Sequence, residues 1–147
     1  MLIEKVGHLL PFSCAQVFDM AADIEHYPDF LPWWMSASII RREANTCYVE
    51  QIVGRGMVRV RFASKAVLQR PQRIDITSSD LPFRQFELSV AVLPDPQAGC
   101  SLSIAAQVEL RSGFLQQILD RVLARSIDEV AAAFEARAHS LYDPHDR

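Results

Sequence analysis

From residue 36 to 110 apolar side chains recur at every second position, and this period restricts the fold more than any other feature of the chain. Val58, Val60 and Phe62 alternate with Arg59 and Arg61, and Ile74 and Ile76 with Asp75 and Thr77. Phe86, Leu88, Val90 and Val92 alternate with Glu87, Ser89 and Ala91, and Leu102, Ile104, Ala106 and Val108 with Ser103, Ala105, Gln107 and Glu109. Neighbouring side chains of a strand point to opposite faces, so each run is a strand with one apolar and one wet face. Turn signals separate the runs: Glu43-Ala44-Asn45, Gly54-Arg55-Gly56, Arg70-Pro71-Gln72, Leu81-Pro82 and Pro94 to Gly99. No helical stretch lies between them to serve as a parallel crossover, which leaves an antiparallel sheet.

Helical spacing frames this sheet. After Ser112, a good N-cap, a stripe of Leu115, Ile118, Leu119, Val122, Leu123, Ile127, Val130, Ala131, Phe134, Ala138 and Leu141 predicts one amphipathic helix of about 29 residues, on the order of 40 Å long. Before the sheet, residues 2 to 10 are β-prone and end at Pro11. Ser13 and Gln16 then form a capping box, with Phe12 and Val17 placed as a hydrophobic staple, for a short helix to about Ala22 that buries Val17, Phe18 and Ala21. Asp23 is placed to cap a second short helix through His26 and Tyr27, which Pro28 and Pro32 divide or end. The class is α+β, with residues 1–142 as a single domain and 143–147 as a polar tail.

The segment Asp23 to Trp34 gathers both tryptophans, a tyrosine and a phenylalanine between prolines and reads as helical turn and loop. Trp33 and Trp34 suit a cavity mouth, a membrane interface or a plug at one end of the fold. Two adjacent tryptophans do not both face inward in a regular element, so one of them is expected to be exposed.

Composition narrows the function classes. Half of the 147 residues are hydrophobic and 22% are charged, as in an ordinary globular protein, and the net charge of −3 argues against whole-surface affinity for nucleic acid. The longest uncharged stretches fall short of the ~20 residues a spanning helix needs, and the N-terminus lacks signal-peptide character, so a cytoplasmic location is expected. Three scattered cysteines fit reduced thiols, and the four histidines show no metal-ligand spacing. Arg55, Arg59, Arg61 and Lys65 share the outer sheet face and are candidates for phosphate or RNA contact, although Glu50, Asp75 and Glu87 are placed to neutralise them. No nucleophile elbow, dinucleotide loop or phosphate loop is present, and the inward positions read as apolar, leaving only His8 or Tyr48 as candidate acid/base groups. No catalytic residue and no metal ligand is assigned.

The phrase Leu10-Pro11-Phe12-Ser13 with Val17-Phe18, then Asp23, Tyr27-Pro28 and Phe30-Leu31-Pro32-Trp33, then Pro82-Phe83 and finally Phe134-Glu135-Ala136-Arg137-Ala138 resembles the START-like coenzyme Q-binding family. That family is also described as polyketide cyclase/dehydrase and lipid transport proteins and includes bacterial ribosome association toxins. The resemblance runs over nearly the whole chain and departs at Trp34, where a cysteine is common, and at Leu81, where glycine is common.

It implies a helix-grip fold, a curved antiparallel sheet holding the long C-terminal helix with an apolar cavity between them. The implied ligand-binding residues are Phe30, Trp33, Trp34, Phe62, Phe83, Phe86, Leu88, Leu115, Leu119 and Leu123, each of which serves equally well as core. The implied function is non-enzymatic binding of a ubiquinone-type isoprenoid quinone or similar lipid, with no required cofactor, by a carrier or chaperone that supports respiratory electron transfer. Contact with the large ribosomal subunit to block subunit association is the alternative, with a polyketide cyclase-like enzyme behind it. The implied partners are thus a hydrophobic small molecule, the large ribosomal subunit and, peripherally, the inner membrane.

Overall fold

The computed structural model describes residues 2–55 and 57–143, with side chains at all of these except 55, 58 and 122–125. Strand β1 (Leu2–Leu10) leads into α1 (Cys14–Ala22), a 3-10 turn (Ile24–His26) and α2 (Tyr27–Phe30). Six further strands follow: β2 (Trp34–Glu43), β3 (Thr46–Arg55), β4 (Val58–Gln69), β5 (Arg73–Ser78), β6 (Phe83–Asp95) and β7 (Gly99–Leu110). Helix α3 (Gly113–Tyr142) closes the chain. The seven strands form one sheet in the order β1-β7-β6-β5-β4-β3-β2, every pairing antiparallel. The helix-grip arrangement and the α+β class expected from the sequence are both present.

The alternation sets the two faces. Val49, Phe62, Ala66, Ile74, Ile76, Leu88, Val90, Val92, Leu102, Ile104 and Ala106 are buried under the helices. Cross-strand pairing lines up Arg41, Tyr48, Lys65, Thr77, Glu87 and Gln107 in a row across the opposite face. Helix α1 seats Val17, Phe18, Met20 and Ala21 in the core, and the second half of α3 adds Ile127, Ala131, Phe134 and Ala138. Phe134 meets the rings of Tyr27 and Phe30 edge-on, at 5.9 and 5.6 Å.

Local signals set several boundaries. The capping box is complete: Gln16 N donates to Ser13 Oγ at 3.1 Å and Ser13 N donates to Gln16 Oε1 at 3.1 Å. Gly99 opens β7 at φ +116°, and a Cβ there would lie 2.7 Å from the Phe12 carbonyl oxygen, so only glycine fits. The β6–β7 turn is tighter than the sequence suggests. Pro94 and Asp95 stay paired with Cys100 and Gly99, and the Asp95 carboxylate accepts the Gln97 and Ala98 amides.

The proline-rich segment is divided ahead of Pro28, as expected: the 3-10 turn ends at His26, Pro28 occupies the first turn of α2, where its missing N–H has no partner to lose, and α2 ends at Phe30 before Pro32. Asp23 makes no capping bond and instead meets His26 Nδ1 at 2.8 Å. Residue 34 already belongs to β2, so the end of the aromatic block is strand and not loop. Likewise β3 runs through Gly54 and Arg55, where a turn was expected. The tail residues 144–147 lie outside the described residues.

Candidate ligand-binding site

The interior has two apolar clusters. The larger one spans α1, the sheet and the second half of α3. The smaller one is built on Phe62, Phe83 and Val108, with Val53, Val60, Phe86, Leu110 and Leu119 packed against it, and lies under the first half of α3. Phe62 meets Phe83 at 5.0 Å and Phe86 at 5.1 Å, and Phe83 meets Phe86 at 5.1 Å. This contact between β4 and β6 exists because β5 ends at Ser78, so no strand separates them beyond that point.

Beside these rings runs a buried polar chain. Gln51 is 1% exposed and is the cross-strand partner of Phe62. Its Oε1 accepts from Trp34 Nε1 at 2.7 Å, and its Nε2 donates to Ser64 Oγ at 2.7 Å, whose hydroxyl donates to the Val49 carbonyl at 3.2 Å. An indole N–H only donates, so it dictates which end of the amide faces which neighbour. The Gln51 amide carries two N–H donors and uses one of them on Ser64. An unsatisfied buried polar group costs ~1–3 kcal/mol, and among the described residues no buried side-chain polar atom lacks a partner.

The inward positions are not all apolar, contrary to what the alternation predicts: Gln51 and Ser64 are buried among them. The signal was available: Gln51 sits between inward Val49 and Val53, and Ser64 between inward Phe62 and Ala66.

Of the residues implied as ligand contacts, Phe62, Phe83, Phe86 and Leu88 lie on the inner face, and Leu119 packs down onto the smaller cluster. Phe30 joins the larger cluster, with the Arg137 guanidinium 5.3 Å from its ring centre. Leu115 is 46% exposed and belongs to neither cluster. The side chains of Leu123 and Arg55 lie outside those described.

The expectation of one exposed tryptophan fails, because both are half-buried. Trp34 turns inward to an acceptor. Trp33 takes φ +71°, a left-handed bend that breaks strand alternation, and its carbonyl accepts the Gly54 amide at 2.9 Å.

The two acid/base candidates are not brought into this interior. Tyr48 is on the outer face with the Arg41 guanidinium 4.3 Å from its ring centre, and His8 Nε2 meets Glu135 at 3.1 Å between β1 and α3. Burial and the adjacent Cys14 push the Cys100 thiol up to about 12, which keeps it protonated and unreactive as a nucleophile. No group of three or more metal-ligating side chains occurs among the described residues.

On the outer face Arg59, Arg61 and Lys65 are exposed, as expected. Arg61 is held by Glu50 at 3.1 Å, whereas Arg59 and Lys65 have no ion-pair partner among the described residues. Asp75 is engaged by Arg73 and Ser89, and so does not neutralise the row. Lys65 lines a groove of about 500 Å³ with Tyr48, Thr77, Arg84 and Glu87. Among the described residues no helix is long and apolar enough to cross a membrane.

Comparison with solved structures gives the same backbone. The aromatase/cyclase Zhui from Streptomyces sp. R1128 superposes with a TM-score of 0.84 at 13% identity, covering 97% of this chain and 96% of its own. In sequence, the ribosome association toxin RatA of Pseudomonas aeruginosa is 22% identical over 91% of this chain and 93% of its own length. The mitochondrial coenzyme Q-binding protein COQ10 of Dictyostelium discoideum is 26% identical over 97% of this chain and 71% of its own. Residues 10–135 match the family described as polyketide cyclase/dehydrase and lipid transport, and with a helix-grip fold of this completeness the chain belongs to that family.

Proposed function

We propose that this protein is a non-catalytic carrier or chaperone for a hydrophobic ligand, an isoprenoid quinone, in support of respiratory electron transfer. The observation that carries the reading is the juxtaposition of the smaller apolar cluster with the buried Gln51 amide, one of whose N–H groups has no hydrogen-bond partner among the described residues. An isoprenoid tail needs apolar side chains, each buried CH₂ contributing roughly 0.8 kcal/mol, and a quinone ring needs a donor for its carbonyl oxygen. Phe62, Phe83, Phe86 and Leu119 supply the first and Gln51 the second. The name of the COQ10 relative points to the same ligand class.

The test is to express the protein in a quinone-producing bacterium, purify it without detergent, extract it with organic solvent and identify the extract by mass spectrometry. Stoichiometric quinone, lost on Leu119→Asp and reduced on Gln51→Leu, is the expected result. An empty extract with no uptake of added quinone overturns the reading.

A second reading rests on Arg59 and Lys65, two cations on one sheet face without ion-pair partners among the described residues, and on the ribosome association toxins among the relatives. It predicts co-sedimentation with large ribosomal subunits that weakens steeply with salt and is lost in Arg59→Glu/Lys65→Glu. Binding indifferent to salt and to these changes removes it.

A further inference from the structure

Helix α3 carries two apolar stripes that do not share a side. At roughly 100° per residue, Ile127, Ala131, Phe134 and Ala138 lie on one side, and Gln116 and Asp120 lie on that same side one half-helix earlier. Phe114 and Ile118 fall roughly opposite, together with Arg121. The contacts follow this geometry. Gln116 faces the sheet, where its Oε1 accepts the Leu110 amide and its Nε2 donates to the Val108 carbonyl at 3.2 Å and to Asp120 at 2.8 Å. Phe114 is 73% exposed and Ile118 48%. Among the described side chains, the first half of α3 thus turns Gln116 and Asp120 inward beside Leu119 and leaves Phe114, Leu115 and Ile118 outward, an apolar exposed side where an ordinary surface helix is polar.

Charge identifies what covers this face. Arg111 and Arg121 flank Phe114, Leu115 and Ile118 in sequence, both are exposed, and neither has an ion-pair partner among the described residues; Arg111, at the start of the helix, also borders the groove that Glu109, Gln116 and Asp120 line. Asp120, the one acidic residue between them, is turned to the sheet side and bonded to Gln116. A two-fold dimer through this patch would bring the two arginines of each copy against those of the other. An anionic lipid surface offers the complementary sign and an apolar boundary beneath it.

We propose that the outward side of the first turns of α3 docks on an anionic bilayer, with Phe114, Leu115 and Ile118 at the headgroup/acyl boundary and Arg111 and Arg121 on lipid phosphates. The inference deepens the ligand reading and rests on it for its purpose: Leu119, on the inner side of the same segment, packs on the Phe62–Phe83–Val108 cluster. One helical segment then stands between bilayer and ligand interior.

The test is flotation with vesicles of phosphatidylcholine alone and of phosphatidylcholine mixed with phosphatidylglycerol. The protein is expected to float with the mixed vesicles and to bind pure phosphatidylcholine about thirtyfold more weakly, since each arginine near an anionic surface is worth roughly a factor of five. Phe114→Asp/Ile118→Asp should lose at least about tenfold with an unchanged unfolding midpoint, because both side chains are exposed, and Arg111→Glu/Arg121→Glu should lose the dependence on phosphatidylglycerol. Wild-type protein that stays unbound, or an aspartate variant that floats like wild type, overturns the proposal. So does a dimer in light scattering that this variant abolishes, which assigns the face to a second copy. Uptake of a short-chain, water-soluble quinone without vesicles separates the two ideas: flotation without uptake sinks the ligand reading alone, and uptake without flotation sinks the docking face alone.

Discussion

Replacing Gln51 by leucine tests whether the polar chain inside the sheet is held together as the geometry implies. The substitution keeps the volume roughly constant and removes two hydrogen bonds of 2.7 Å, one to Trp34 and one to Ser64. Ser64 keeps its bond to the Val49 carbonyl, so the main loss is the acceptor for the indole N–H. Leaving a donor without its partner costs ~1–3 kcal/mol, and the added apolar contact of leucine returns part of that, for a net destabilisation of about 1–2 kcal/mol. In a chain of 147 residues this lowers the unfolding midpoint by roughly 2–8 °C.

The decisive assay is a double-mutant cycle with Trp34→Phe, read by urea unfolding followed by circular dichroism. Once the indole donor is gone, Gln51→Leu should cost less, and the coupling energy should be on the order of 1 kcal/mol. Additive effects within about 0.3 kcal/mol would show that Gln51 and Trp34 are neighbours without an energetic bond, and the argument that Trp34 fixes the amide's orientation would fall with them.

Three further outcomes follow from named contacts. Phe134→Ala removes a ring that is 1% exposed and touches Tyr27 and Phe30, and should destabilise by about 3–5 kcal/mol in chemical unfolding; a loss below ~1 kcal/mol would mean that α3 does not seat there. Gly99→Ala should cost more than ~1 kcal/mol, since β7 opens at φ +116° against the Phe12 backbone; a neutral result would contradict that close approach. Burial alone would raise the Asp75 carboxyl, but its bonds to Arg73 and Ser89 outweigh this and hold it below the ordinary aspartate value. Its stabilisation is therefore complete above about pH 4 and lost as pH falls through the lower folded value, so the urea midpoint of wild type should fall more steeply in acid than that of Arg73→Gln; parallel curves would show that the pair contributes nothing.

What was legible in the sequence is what short separations and simple periods dictate. The Ser13–Gln16 box, the Ser112 cap and the two-residue alternation of β4 to β7 each depend on residues a few positions apart, so they read correctly before any tertiary contact is known. The candidate site was only half legible. Phe62, Phe83 and Phe86 were found as inward aromatics, but their meeting depends on β5 stopping at Ser78, and the pairing of Gln51 with Trp34 depends on β2 lying beside β3 in one register. Leu115 and Ile118 were read as part of one buried stripe because adjacent apolar positions look continuous along a helix. That stripe turns about the axis between residues 118 and 127, and a straight helix buries only one side.

The sequence by itself therefore determined the elements, their order, the wet and dry faces of the strands and the family. Which side of α3 meets the sheet was decided by Phe134 and Ala138 docking on the core and by Gln116 bonding to the end of β7, both long-range contacts. Once that side is set, rigid helical geometry leaves Phe114 and Ile118 facing outward, whatever their own preference for burial.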